Sequence, residues 1–203
     1  MTERPILFNG EMVRAILEGR KTQTRRPIPW KWAPTQSPNG HWSIYTGDGT
    51  RVMLVGAGPN EQLAMCQSMI AYGRMEIGDH LWARETYAHV TESDADIIWK
   101  RAWLYRATDP AYLPNRWHPS IHMPRCASRI TLEVTDVRAE RLQMIRTSDI
   151  IAEGISENDG YLGSANRFRH PFEDMWNSIY AKRGLGWDAN PWVWAYTFKR
   201  VTP

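Results

Sequence analysis

The sequence predicts a mixed α+β fold with a small, curled sheet. Strand-like alternation recurs at 80–88, 128–138 and 192–201. Short helices with one apolar face precede or separate these runs, at 10–19 and 171–183. Strand and helix do not alternate regularly enough for a doubly wound sheet.

Each element has its own signal. At 10–19, Met12, Val13, Ile16 and Leu17 recur at helical spacing, Asn9 is placed to cap, and Gly19 suits the left-handed stop. Pro27 and Pro29 prevent the helix from resuming. Residues 30–75 are dense in turn signals and read as an insertion. Within it His41–Thr46 and Thr50–Val55 read as two strands of a hairpin joined by Gly-Asp-Gly. The Gly56-Ala57-Gly58 stretch is no phosphate loop, because Pro59 follows it and no Gly-Lys-Ser/Thr does.

Gly78-Asp79 turns the chain into a strand over His80–Ala88, with Leu81, Ala83 and Glu85 on one face. Residues 97–107 form another strand. Four prolines make 108–127 mostly irregular, so 88–127 reads as a second insertion. Ser128–Arg138 alternates Ile130, Leu132 and Val134 with polar residues. Thr147 or Ser148 caps a short helix through Glu153, closed by Gly154. Pro171–Arg183 is a longer helix with Phe172, Met175, Trp176, Ile179 and Tyr180 on its apolar face. Pro191 opens a last strand, Trp192–Val201.

The 203 residues suffice for one domain with a core that needs no disulfides. Two cysteines, Cys66 and Cys126, make no disulfide framework and point to a reducing compartment. No apolar run approaches the ~18 residues of a membrane helix. The N-terminal MTERPILFNG lacks a signal-peptide layout. The expectation is a cytoplasmic protein without a membrane partner.

The charge is unevenly spread. The net charge is +3, yet residues 1–32 carry seven basic residues against three acids. The remainder is slightly acidic. Four of the seven residues from Arg20 to Arg26 are basic, which suggests an anionic partner.

That segment, Gly19-Arg20-Lys21-Thr22-Gln23-Thr24-Arg25-Arg26 after a short amphipathic helix, resembles the signature of the ASCH domains of the PUA-like superfamily. Gly78-Asp79-His80-Leu81-Trp82 matches the strand start that follows in that family, and 128–138, 148–154 and 192–201 match its later elements. The segments Ser120–Arg125 and Asp188–Trp194 are similar to a larger form found in tailed phages and prophages. The resemblance implies one domain over 1–203 built on a small PUA-like β-barrel with flanking short helices.

Small bacterial members of the family include 4-acetylcytidine amidohydrolases. The resemblance implies Lys21, Thr24 and Glu153 as catalytic residues, with no cofactor. The chemistry is coherent. Amide hydrolysis needs a nucleophile, a base and an oxyanion donor. Thr24 supplies the hydroxyl and Lys21 the base, provided burial beside Arg20, Arg25 or Arg26 lowers its pKa. Glu153 orients the lysine, holds a water or contacts an exocyclic amine. Glu85 is a second acid that could pair with Lys21 instead.

Other readings remain open. The same residues can grip a base or phosphate of single-stranded nucleic acid, RNA before DNA, without chemistry. In a ribonuclease, Lys21 and the arginines would stabilise the transition state. Arg20, Arg25, Arg26, Trp30, Trp82, Glu85 and Arg125 are candidate binding residues, the tryptophans by stacking. His118, His122 and Cys126 lie four apart, but Pro119 and Pro124 break any helix there, so no metal site is expected. Trp176, Trp192 and Trp194 read as core.

Overall fold

The computed structural model describes residues 1–29, 33–36, 42–45, 51–54, 75–89, 103–156 and 167–201. Its centre is a five-stranded mixed sheet. The strands are β1 (Glu3–Leu7), β2 (Gln23–Pro27), β6 (His80–Arg84), β9 (Thr131–Arg141) and β10 (Trp192–Val201), in the order β1-β6-β9-β10-β2. β1 runs parallel to β6, and the other pairings are antiparallel. β3 (Thr35–Gln36), β4 (Trp42–Tyr45) and β5 (Arg51–Leu54) form a separate antiparallel sheet. β7 (Tyr87–His89) pairs with β8 (Trp103–Tyr105).

The helices are α1 (Gly10–Leu17), α2 (Thr147–Ala152) and α3 (Arg169–Tyr180). The Asn9 side chain accepts from the Met12 amide at 2.8 Å and satisfies one of the free donors at the start of α1. Pro171 falls in the first turn of α3, where its missing N–H costs nothing.

The sheet alternation builds two cores. Leu132, Val134, Val137 and Ala139 of β9, with Trp192, Trp194, Tyr196 and Phe198 of β10, face α1 residues Met12, Val13 and Ile16. The register shift between Thr197 and Phe198 leaves Thr135 of β9 unpaired, so Leu132 and Val134 before it and Val137 and Ala139 after it all join the same core. On the other face Val193 joins Leu142 and Ile150 against Phe172, Trp176 and Tyr180 of α3. Trp176, Trp192 and Trp194 are thus core residues.

The structure corrects several expectations. The main sheet is open among the described residues, not a closed barrel. Its edge strands β1 and β2 share no backbone ladder; Arg26 Nη2 instead donates to the Leu7 carbonyl at 2.6 Å across the gap. β1 and β2 themselves carry no strand signal in the sequence. The run at 80–88 breaks at Glu85 and Thr86 into β6 and β7. Neither Thr147 nor Ser148 caps α2; that helix starts after Arg146, whose amide donates to Asp149 Oδ2 at 3.3 Å. Ile179 is half-exposed, because it lies beside the buried stripe of α3 rather than on it. The hairpin turn at 46–50, the Gly56–Pro59 stretch, Cys66, Trp30 and residues 97–102 lie outside the described residues.

Candidate active site

Lys21 is where two helix C-termini meet. Gly19 ends α1 with φ +77°, and the amides of Arg20 and Lys21 both bond back to the Ala15 carbonyl, at 2.9 and 3.0 Å. The chain therefore reverses tightly and delivers Lys21 toward α2. The Thr22 amide then bonds the Ala152 carbonyl at 2.8 Å. Gly154 ends α2 with φ +92°, packed so closely that a Cβ there would lie 2.9 Å from Ala15 Cβ and 3.1 Å from Lys21 Cβ. Glycine is required at this position by both conformation and space.

The Lys21 side chain is fully buried. Its Nζ donates to Glu153 Oε2 at 2.7 Å and to the Glu153 backbone carbonyl at 2.9 Å. Burial pushes the ammonium below its ordinary value, the Glu153 charge resists that, and the Arg26 and Arg25 charges add to the lowering. The net direction is downward.

Arg25, on β2, holds the other oxygen of Glu153: Nη1 lies 3.2 Å from Oε1. Its Nε donates to Glu140 Oε1 at 2.9 Å. Nη2 is 2.7 Å from Glu140 and 3.2 Å from Asp149, within ion-pair range though off the angles of good hydrogen bonds. Arg138 Nη2 donates to Asp149 Oδ1 at 3.3 Å. Three carboxylates thus face three cations in one network that ties β2 and β9 to α2, buried at Lys21, Arg25 and Glu153 and partly exposed at Arg138. Burial alone would raise the Asp149 carboxyl. The Arg146 amide and the charges of Arg25 and Arg138 outweigh that and hold it low.

Glu153, itself buried, lines two cavities. A cleft of about 540 Å³ lies between α1 and α3, walled by Met12, Arg14, Arg20, Glu153, Asp174 and Met175 among others. Beside it, Thr24, Arg25, Arg26, Glu153 and Tyr180 line a slot of about 10 Å³, near the least volume that admits one water. Thr24 and Glu153 therefore share a wall, and Glu153 links the slot to the cleft. Arg26 is fixed over the Phe8 ring, 5.5 Å from its centroid, and donates to Tyr180 Oη at 3.2 Å.

The remaining candidates separate. Arg20 is exposed at the cleft, donates to Glu18 at 2.8 Å and to the Gly154 carbonyl at 2.8 Å. Glu85 is buried but does not pair with Lys21: its oxygens accept from Arg129 Nε and Nη2 at 2.9 and 3.0 Å. Trp82 and Arg125 lie away from Lys21. The guanidiniums of Arg84 and Arg125 stand 4.6 and 5.9 Å from the Trp82 ring, and Arg125 bonds Glu3. Tyr87 stacks on His118 and donates to the His122 carbonyl, and the described residues contain no His/Cys/Asp/Glu group suited to a metal. Glu140 and Asp149 are members of the network that sequence reasoning missed. The signal for Glu140 was an acid continuing the alternation of β9 past Arg138; for Asp149, an acid in the first turn of α2.

No protein-family model matches the chain, and no curated protein does. A solved structure is similar. It is the ASCH domain of Lactobacillus crispatus JV V101, at 9% identity and a TM-score of 0.44, with 98% of this chain and 79% of that chain covered. No helix among the described residues is long and apolar enough to cross a membrane.

Proposed function

We propose that the protein is an ASCH-type hydrolase that cleaves the acyl amide of a modified pyrimidine nucleoside or nucleotide, with 4-acetylcytidine as the prototype substrate. One observation carries this reading: a buried lysine, its ammonium destabilised, is bonded to the carboxylate of Glu153, a residue that lines both the slot beside Thr24 and the cleft. A structural ion pair needs no cavity beside it. The signature at 19–26 supplies the third group, Thr24, on the same wall.

In this mechanism the Thr24 hydroxyl attacks the acyl carbonyl carbon, and its proton passes to the Lys21–Glu153 pair. Lowering the lysine pKa raises the neutral fraction able to accept that proton. The tetrahedral intermediate collapses as the exocyclic nitrogen leaves with the proton returned from the pair. Water then cleaves the Thr24 ester, releasing the acid and restoring the hydroxyl. Arg25 keeps the Glu153 carboxylate turned so that Oε2 stays on Lys21. Arg26, beside Thr24, is the donor placed for the oxyanion.

Chromatography of 4-acetylcytidine after incubation with the protein tests the proposal. Cytidine should accumulate with the native protein and not with Thr24→Ala. A Thr24→Ala variant that matches the native rate would remove the threonine from the mechanism. A second reading, base recognition without chemistry, draws on Arg14 and Arg20 at the cleft. It predicts no product but oligonucleotide affinity that falls by roughly 0.7 log units per log unit of salt for each phosphate contact.

A further inference from the structure

A second cavity adjoins the cleft. It measures about 440 Å³ and is lined by Asn9, Gly10, Glu11, Arg14, Glu85, Thr86, Arg106 and Ala107. Asn9, Glu11 and Arg14 belong to both walls, so the two spaces meet over the first turn of α1. Each falls in the size range of small-ligand pockets.

The chemistry of this cavity differs from that of the first. Glu85 is 2% exposed. Among the described residues its carboxylate is held by Arg129 alone, one bond to each oxygen. A carboxylate oxygen accepts at two lone-pair positions. Each oxygen keeps a second lone-pair position, Glu85 itself lines the cavity, and the Arg129 fork fixes how the carboxylate is turned. Arg129 is itself clamped, with its guanidinium 3.9 Å from the Tyr105 ring and Nη1 donating to Thr108 at 3.0 Å. Burial raises the Glu85 carboxyl, and the Arg129 bond and charge offset this only in part. A buried acceptor of that kind gains from a neutral N–H donor such as a base amino group. Around it stand Arg106, exposed, and Arg14, whose Nη1 is used on the Ala107 carbonyl at 3.1 Å. Arg20, Arg14 and Arg106 thus follow one another along the joined cavities.

We propose that the cavity beside Glu85 is a second nucleotide subsite. It takes an amino-bearing base on Glu85, the linking phosphate passes Arg14, and the ligand is a strand of at least two nucleotides. The assignment of the neighbouring cleft to the first nucleotide rests on the function proposed above. Glu11 is the one acid in the shared wall, and it opposes the phosphate there.

The test is calorimetric titration with three dinucleotides, CpC, CpU and UpC, at low salt. The native protein should bind CpC about tenfold more tightly than either mixed dinucleotide, since each loses one amino contact. In Glu85→Gln the amide can also donate, to uracil. Discrimination against one mixed dinucleotide should then vanish while the other persists. Arg106→Glu, at an exposed position that leaves folding intact, should weaken all three by about tenfold without altering the order. Glu11→Gln should tighten all three. Absence of dinucleotide binding, or discrimination that survives Glu85→Gln unchanged, overturns the subsite. No chemistry enters this readout, so an inactive protein that shows the pattern fails the hydrolase reading alone. An active one that lacks it fails the subsite alone.

Discussion

Removing the Glu153 charge exposes how much the site depends on it. In Glu153→Gln, Lys21 stays buried and keeps the backbone carbonyl at 2.9 Å, but loses the carboxylate at 2.7 Å. Arg25 is affected less, because Glu140 and Asp149 remain within 3.2 Å. The expected cost is that of one broken buried pair, about 3–5 kcal/mol at neutral pH. For a chain of this length that lowers Tm by about 6–20 °C. The loss has a defined pH dependence. Lys21 already has a lowered pKa in the fold, and the variant lowers it further. In the window between that folded value and the unfolded one near ~10.4, the unfolded chain binds more protons. Stability therefore rises with pH across the window, and the penalty of Glu153→Gln shrinks as the folded lysine sheds its proton. Urea unfolding followed by tryptophan fluorescence, at pH 7 and again about two units higher, measures both effects. A penalty below about 1 kcal/mol, or one equal at the two pH values, would refute the buried pair as described.

Three further outcomes follow from other parts of the fold. Gly154→Ala should cost more than about 1 kcal/mol by thermal melting, since it combines left-handed backbone with a 2.9 Å contact on Ala15; a neutral substitution would contradict the close approach of α1 and α2. Arg25→Lys keeps the charge but cannot span Glu140, Asp149 and Glu153. It should lower turnover of 4-acetylcytidine at least tenfold and shift its pH profile, and Arg20→Lys at the exposed pair should do neither. Asp79 accepts from the Thr2 and Glu76 amides at 2.8 and 3.1 Å. Burial alone would raise its carboxyl, but these bonds and the Arg4 charge hold it below the usual range. Its contribution is therefore present above the unfolded value near ~3.9 and lost as pH falls through the folded one. Asp79→Asn should be less stable than the native protein at neutral pH and converge with it in acid, as acid titration of unfolding would record.

The helices and long strands could be read from periodicity because packing alone dictates them. Asn9, Gly19, Gly154 and Pro191 mark their ends by mechanisms local to a few residues. β1 and β2 escaped that reading for a physical reason. β1 buries only Ile6 among its five residues, and Pro5 stands in its middle. β2 reads Gln-Thr-Arg-Arg-Pro because its side chains serve the ion network and the slot rather than an apolar core. The pairing of Lys21 with Glu153 spans 132 residues, and no spacing rule reaches that far; it came from resemblance to a family. Arg25 reads in the sequence as a candidate binding residue beside Lys21, and the structure buries it among three acids. Glu85 shares the alternation of Leu81 and Ala83 in the sequence, but the strand ends at Arg84 and Glu85 pairs with Arg129 instead.

Incubation of the native protein with 4-acetylcytidine, with cytidine and acetate separated from the substrate by chromatography, tests the Lys21–Thr24–Glu153 site most directly. Catalysis at this site predicts both products in equal amounts, and neither with Lys21→Ala. Intact substrate at high protein concentration, from a sample whose melting confirms the fold, would contradict it.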